Sequence, residues 1–458
     1  MKKQTFFFCG IGGSGMSAIA QVLLHQGHAV RGSDRSYDQG QNADLYARLQ
    51  ALGVLLFPQD GSGVDVDVLV VSSAVEPTIL DVQAGLDRGI AIRKRAEVLA
   101  DLFHRGTGIA VGGTSGKSTV TGMIGHILNR TGRDPTVING GIMRDVVQPP
   151  RLGNALCGDA ELVVIEADES DGTIALYEPT VSVLTNISLD HKPMAELESL
   201  FGAFCARARD VAVVNRLCER SMALTQGVKR RVTFGVDCEG ADVHAADVEL
   251  LPDGVRCVVN GQACRLRVPG RHNVANAVAA IATCGVLGIS VRDGAEALGN
   301  FRGIGRRLEV VGEAQGVTVI DDFAHNPDKI AASLATLKAQ PGRVLSVFQP
   351  HGFGPTRFLM DGLISAFING MEGDDLVIMS EIFYAGGTAQ KDISSGDLIA
   401  QIARAGRRAE YIERREDIVV RLAEEARNGD RVVVMGARDD SLTDFARDIL
   451  LQIESRVR

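Results

Sequence analysis

Short runs rich in Val, Ile and Leu alternate with amphipathic helical patterns along almost the whole chain. That alternation restricts the fold to α/β, with mainly parallel sheets. A chain of 458 residues, 45% of them hydrophobic, is long enough for about three such domains. The first, 1–104, runs from "TFFFC" through "VDVLVVSSAV" to the helix "RAEVLADLF", and "HRGTG" breaks the pattern after it. The second, 105–311, contains "ELVVIEADESD", "VSVLTNISLDH" and the helix "HNVANAVAAIATCGVL". Within it, residues 232–268 read as antiparallel hairpins added to the sheet. The third, 312–458, carries "GVTVIDD", "RVLSVFQPH", "DLVIMSEIF" and "RVVVMGARDD", several of which end in polar residues. In open parallel sheets the carboxyl ends of the strands line the ligand crevice.

The sharpest chemical signal is "AVGGTSGKST", Ala110 to Thr119. An apolar strand precedes it, and Val120, Met123, Ile124, Ile127 and Leu128 follow at helical spacing. A triphosphate needs free backbone N–H groups at a helix N-terminus, a lysine, and a hydroxyl for magnesium. Gly112, Gly113 and Gly116 supply the turn, Lys117 the cation for the phosphates and Ser118 the hydroxyl for the metal, and the expected ATP-binding stretch is Gly113, Thr114, Ser115, Gly116, Lys117, Ser118 and Thr119. The strict Walker spacing would want glycine at Val111. A plain glycine turn with a solvent-facing lysine is the weaker reading in this strand–loop–helix context.

A second glycine pattern, "CGIGGSG", places Gly10, Gly12, Gly13, Ser14 and Gly15 between a strand and a helix, with Asp34 about twenty residues on. It serves any diphosphate, that of a nicotinamide dinucleotide or of a UDP-sugar, so an NAD(P)-dependent oxidoreductase stays open as an alternative. In "VVIEADESD" a strand delivers Glu166 to its end, with Asp168, Glu169 and Asp171 following. A carboxylate beside a phosphate loop is a magnesium ligand in phosphoryl-transfer sites. "VLTNISLDH" brings Asn186, Asp190 and His191 to the same edge.

"GTSGKST", "EADESD", "TNISLDH", "PGRHNVANAVAA", "GRRLEVV" and "DDFAHNP", in this order, resemble the Mur ligase family. These are ATP-dependent amide ligases that build the peptide of bacterial cell-wall precursors. "GIGGSGMSAIA", "GSD", "SSAV" and "RAEVL" resemble the branch that adds L-alanine to UDP-N-acetylmuramate. The resemblance spans nearly the whole chain, and the family's loop is one residue shorter than Walker's, which accounts for Val111. It implies a Rossmann-like N-terminal domain for the UDP-sugar, a central P-loop ATPase domain and a Rossmann-like C-terminal domain for the amino acid. ATP and Mg²⁺ would be used, in peptidoglycan precursor synthesis.

Residue by residue, the resemblance implies that Lys117 contacts the β- and γ-phosphates while Ser118, Glu166 and His191 hold magnesium. His272, Asn273 and Asn276 would face the adenine, and Arg307 and Asp322 would reach the nucleotide. The glycine loop from Gly10 to Gly15, Asp34, Ser72, Ser73 and Arg95 would hold the sugar nucleotide, and His325, His351 and Arg357 would line the amino-acid pocket. Several relatives carry a carbamylated lysine after the Asp-His motif. "LESLFGAFCARAR" has none, as in the alanine-adding branch, and Lys192 and Pro193 follow His191 where relatives have Met/Leu-Asp.

The largest departure is "QPHGFGPTRF". Gly352 and Pro355 stand where alanine-adding enzymes have arginines, and Gly387 stands where a glutamate is usual. With two cations and one anion gone, L-alanine is expected to be a poor substrate or one of several, unless Lys391 or Arg438 substitutes.

The net charge of −9 excludes nucleic acid as a main partner. Eight cysteines without a Cys-x-x-Cys pair argue for a reducing compartment rather than disulfides or zinc. With no apolar run long enough to span a membrane and no signal-peptide core in "MKKQTFFFCGIGG", the expectation is a cytoplasmic enzyme, monomer or dimer.

Overall fold

The computed structural model describes residues 3–73, 75–170, 172–190, 192–384, 386 and 390–456. The chain divides into two compact units. One comprises 1–247, 257–266 and 274–304, and the other 248–256, 267–273 and 305–458.

The first unit opens with a five-stranded sheet in the order Leu55–Leu56, Ala29–Ser33, Thr5–Cys9, Val68–Val71, Ala91–Lys94. Every pairing in it is parallel. The first strand, Thr5–Cys9, is central, and Phe6 to Cys9 are buried, as an apolar run in a covered parallel sheet must be. A ten-stranded sheet follows, with Val181–Leu184, Thr107–Gly112, Asp159–Glu166 and Pro135–Ile138 as adjacent parallel strands.

The region expected to form antiparallel hairpins is only partly so. Arg231–Val236 and Val243–Leu251 continue the sheet in parallel register. Only the outer strands, Gly254–Val259 and Gln262–Leu266, are added by tight turns, the last through Asn260 and Gly261. Both of these have positive φ, the backbone of a two-residue hairpin turn, and Asn-Gly is the pair that accepts it most readily.

The two sheets of the first unit share a core. Phe103, at the end of the helix Arg95–Phe103, meets Tyr177 edge to face at 5.7 Å. A buried polar contact joins them as well. Asn154 Nδ2 donates to Ser14 O (2.7 Å) and Ser17 Oγ (2.9 Å), while its oxygen accepts from Gln21 Nε2 (2.8 Å). Ser14 thus has its carbonyl anchored from the neighbouring sheet.

The second unit has a six-stranded sheet ordered Glu309–Ala314, Val317–Asp322, Arg431–Gly436, Val344–Gln349, Leu376–Met379, Arg408–Tyr411. Only the first pairing is antiparallel. Asp322, Gln349 and Ser380 therefore arrive together at the carboxyl edge. Among the described residues no helix is long and apolar enough to cross a membrane.

Candidate active site

The strand Thr107–Gly112 runs into the loop of residues 113–116 and then the helix Lys117–Arg130. Gly113 (φ +125°) and Gly116 (φ +90°) occupy backbone conformations that disfavour any side chain. A Cβ on Gly113 would lie 2.1 Å from Thr185 Oγ1, and one on Gly116 2.5 Å from Asn276 Oδ1. Asn276 is therefore brought to the loop. No side chain caps the helix start, so its N–H groups and dipole face the loop.

The next strand end clamps the loop from outside. Asn186 accepts from Thr114 N with its carbonyl and from Ser115 N with its side-chain oxygen, both at 3.0 Å. Thr185 Oγ1 donates to Ser115 O (2.7 Å), and the Thr114 hydroxyl exchanges hydrogen bonds with the Ser188 backbone. Ser115 Oγ, by contrast, is buried without a partner among the described residues. A buried polar atom in that state calls for an acceptor or donor that the protein does not supply.

Lys117 Nζ donates to Gly113 O and to Glu169 Oε2, each at 2.8 Å. Burial opposes its charge, but Glu169, Asp168 and Glu166 outweigh burial and hold the ammonium above its ordinary value. At Glu169, 1% exposed, burial wins over Lys117 and pushes the carboxyl up. Ser118 Oγ donates to Glu166 Oε2 (2.9 Å), which also accepts from Gly140 N (3.0 Å). Thr119 is buried behind them. His191, and with it Asp171, lies outside the described residues. Among the described residues no cluster of three or more His, Cys, Asp or Glu side chains could hold a metal. The hydroxyl and carboxylate of Ser118 and Glu166 are nevertheless the donors a hard cation takes when phosphates and water complete its shell.

The N-terminal glycine loop is shaped by Asp34. Its Oδ2 accepts from Gly12 N (2.8 Å), and its Oδ1 from Ser36 N (3.0 Å) and Ser36 Oγ (2.9 Å). Asp34 thus acts as a clamp on the loop. Gly10 has φ +84°, and Gly13 and Ser14 are exposed at the tip. A Cβ on Gly15 would fall 2.8 Å from Arg95 Nη1, so Arg95 belongs to this site. Ser72 and Ser73 follow the strand Val68–Val71, which pairs with Thr5–Cys9, and so share the loop's edge.

In the second unit, Asn273 Nδ2 donates to Pro269 O at 2.7 Å. Burial pushes the neighbouring His272 imidazole down to about 4. Arg307 stacks over the Phe323 ring at 4.5 Å, while Arg306, which sequence reasoning passed over, is tied to Asp321 and the Gly436 carbonyl. Asp322 is buried, accepts from Ser333 Oγ and Leu308 N, and has its carboxyl pushed up by burial.

The His325 and His351 rings meet edge to face at 5.5 Å. Burial, then Lys329, drives His325 well below its ordinary value, so it is neutral. Arg357 has partners of its own. It is exposed and paired with Asp392 and Gln390 O. Lys391 stands 4.7 Å over the Tyr384 ring, beside Phe353. Gly387 lies outside the described residues, and Arg438 is exposed.

Three family models match in succession: the Mur ligase family catalytic domain over residues 5–107, the Mur ligase middle domain over 111–284, and the Mur ligase glutamate ligase domain over 306–438. The chain belongs to the Mur ligase family. A UDP-N-acetylmuramate–L-alanine ligase of Pelotomaculum thermopropionicum is 36% identical over 96% of this chain and 95% of that one. The enzyme of the same name from Jannaschia sp. is 37% identical over 94% and 92%. The crystal structure of the UDP-N-acetylmuramate-alanine ligase of Thermotoga maritima superposes with a TM-score of 0.80 at 26% identity, covering 99% of both chains. A murein peptide ligase of Psychrobacter arcticus, at TM-score 0.68 and 23% identity over 99% and 100%, shares the fold. As a Mur ligase, the chain is built on the scaffold of ATP-dependent amide ligases.

Thr185, Asn186 and Glu169 are the loop's main partners that sequence reasoning left without a role. "TNISLDH" drew attention to the segment, but only the structure shows that Thr185 and Asn186 clamp the loop.

Proposed function

We propose that this Mur ligase is an ADP-forming enzyme that joins an amino acid to the carboxylate of UDP-N-acetylmuramate in peptidoglycan precursor synthesis, in the cytoplasm. The supporting observation is the loop at residues 113–118, with Lys117 aimed across it and the Ser118–Glu166 oxygen pair at its end.

A carboxylate is a poor electrophile, so the γ-phosphoryl of ATP moves to its oxygen. A P–O bond forms, the β,γ-bridging bond breaks, and ADP leaves. The amine then forms the C–N bond as phosphate departs and the nitrogen gives up a proton. Lys117 and the helix N-terminus stabilise the charge that shifts between phosphates. Ser118 and Glu166, with His191, would hold Mg²⁺, which neutralises phosphate charge when bound. Asn276, at the loop, fits a nucleotide contact, and His272, Asn273, Arg307 and Asp322 are assigned to the same nucleotide. Gly10 to Gly15, Asp34, Ser72, Ser73 and Arg95 take the sugar nucleotide, and His325, His351 and Arg357 the amine. The corresponding domains are 1–104, 105–311 and 312–458. Oligomeric state is assigned as monomer or dimer.

The relatives' names support L-alanine as the amine. A second reading, a larger amine or a peptide, rests on Gly352, Pro355 and Gly387 in place of the charged residues the resemblance leads one to expect. The oxidoreductase alternative leaves the Lys117 loop without a role. The test is release of ADP and phosphate from ATP, Mg²⁺, UDP-N-acetylmuramate and L-alanine, with glycine, L-serine and an alanyl dipeptide in parallel. All components should be required, and turnover that ignores the sugar nucleotide would refute the assignment.

A further inference from the structure

The phosphate loop contains a group that ATP chemistry does not ask for. A lysine meant for phosphates is already engaged: two of its three N–H donors go to Gly113 O and Glu169. Glu169 is almost wholly buried, and Asp168 and Glu166 also act on the same ammonium. One carboxylate thus touches the lysine and two more act on its charge through space. An incoming polyphosphate meets an excess of negative charge before it meets Lys117, and in a poorly solvated site like charges are weakly screened. A phosphate that carries a divalent cation brings the missing positive charge and can take the ammonium, while Ser118 and Glu166 receive the cation.

We propose that Glu169 is a positioning residue that gates the loop: it holds Lys117 in the empty state and yields it only to a nucleotide complexed with a divalent cation, so that metal-free nucleotide is rejected. Glu169 is not a metal ligand in this role. It acts through Lys117, at a distance the pair makes explicit, 2.8 Å. The unpartnered Ser115 hydroxyl belongs to the same cradle and stands ready for a phosphate oxygen once the lysine has moved.

The inference rests on the nucleotide-binding part of the proposed function alone. A failed ligation assay would strike the sugar or amine assignment and leave nucleotide binding measurable. The experiment is equilibrium binding of a fluorescent ADP, and of ATP by competition, to the full chain in EDTA and in Mg²⁺. For the wild type, the metal-free dissociation constant should exceed the Mg²⁺ value by about 100-fold or more. In Glu169→Gln, metal-free binding should tighten about tenfold while the Mg²⁺ complex changes by less than about threefold. Glu169→Asp, which keeps the charge, should retain the wild-type discrimination. A purely structural role would weaken both forms alike. Equal changes with and without metal, or weaker metal-free binding in Glu169→Gln, would overturn the proposal. Should Glu169→Gln fail to fold, a wild-type ratio below about ten would overturn it equally.

Discussion

The loop at residues 113–118 and the side-chain cluster around His325 both follow the carboxyl ends of parallel strands, but they are built from different material. The loop is made of backbone: two glycines at positive φ, a helix N-terminus without a side-chain cap among the described residues, and a clamp from Thr185 and Asn186 that bonds mostly to main-chain atoms. The cluster is made of side chains: His325 beside His351, and Arg307 over Phe323. A backbone site can be lost but hardly retuned. A side-chain site can be retuned one residue at a time, and the pairing of Arg357 with Asp392 is one such choice of partner.

The comparison can be broken most sharply at Lys117. Lys117→Ala should lower ligation about 10³-fold with the fold intact by circular dichroism, because it removes the cation that stabilises the charge shifting between phosphates. Ligation within a few-fold of wild type would mean that the loop does not carry the chemistry. Next comes Gly113→Ala, which sets a Cβ against Thr185 Oγ1 in a backbone conformation that alanine avoids. Strain and overpacking of about 1–3 kcal/mol should weaken nucleotide affinity about 100-fold, measured by calorimetry, while Thr185→Ser relieves little.

A smaller effect is expected from pH at the second unit. Burial holds His272 at about 4 in the folded state, below the ordinary histidine value. The unfolded chain therefore binds more protons in between. The stability His272 contributes is complete above about pH 6.5 and lost as pH falls toward 4, a difference of about 1–2 kcal/mol for a ring that keeps some contact with solvent. His272→Gln should flatten urea-melt stability across that window, and an unchanged slope would show that the ring is already charged or exposed.

The smallest effect belongs to Arg357→Ala. An exposed ion pair contributes about 0.2–1 kcal/mol, so stability should barely move. If Arg357 serves only Asp392, the KM for L-alanine should stay within about threefold, whereas a rise of a hundredfold would return Arg357 to the pocket.

Much of the architecture was legible because it is written locally. The alternation of apolar strands and amphipathic helices needs only neighbouring residues, and so does "GGTSGKST", whose glycines, lysine and hydroxyl stand side by side. The parallel course of Arg231–Val236 and Val243–Leu251 was not legible, because alternating polarity marks a strand without telling which way its neighbour runs. Nor was the bond between Lys117 and Glu169, separated by 52 positions.

The sequence by itself determined that this is an α/β chain of the Mur ligase family with a glycine-rich strand–loop–helix turn at 113–118, since periodicity and contiguous motifs survive without knowledge of the fold. Only the tertiary structure decided that Asp34 clamps Gly12, that Glu169 holds Lys117 and that Arg357 turns to Asp392. Those are choices of partner among many charged groups, and they follow from which side chains the folded sheets bring within a few ångströms, a distance that order along the chain does not contain.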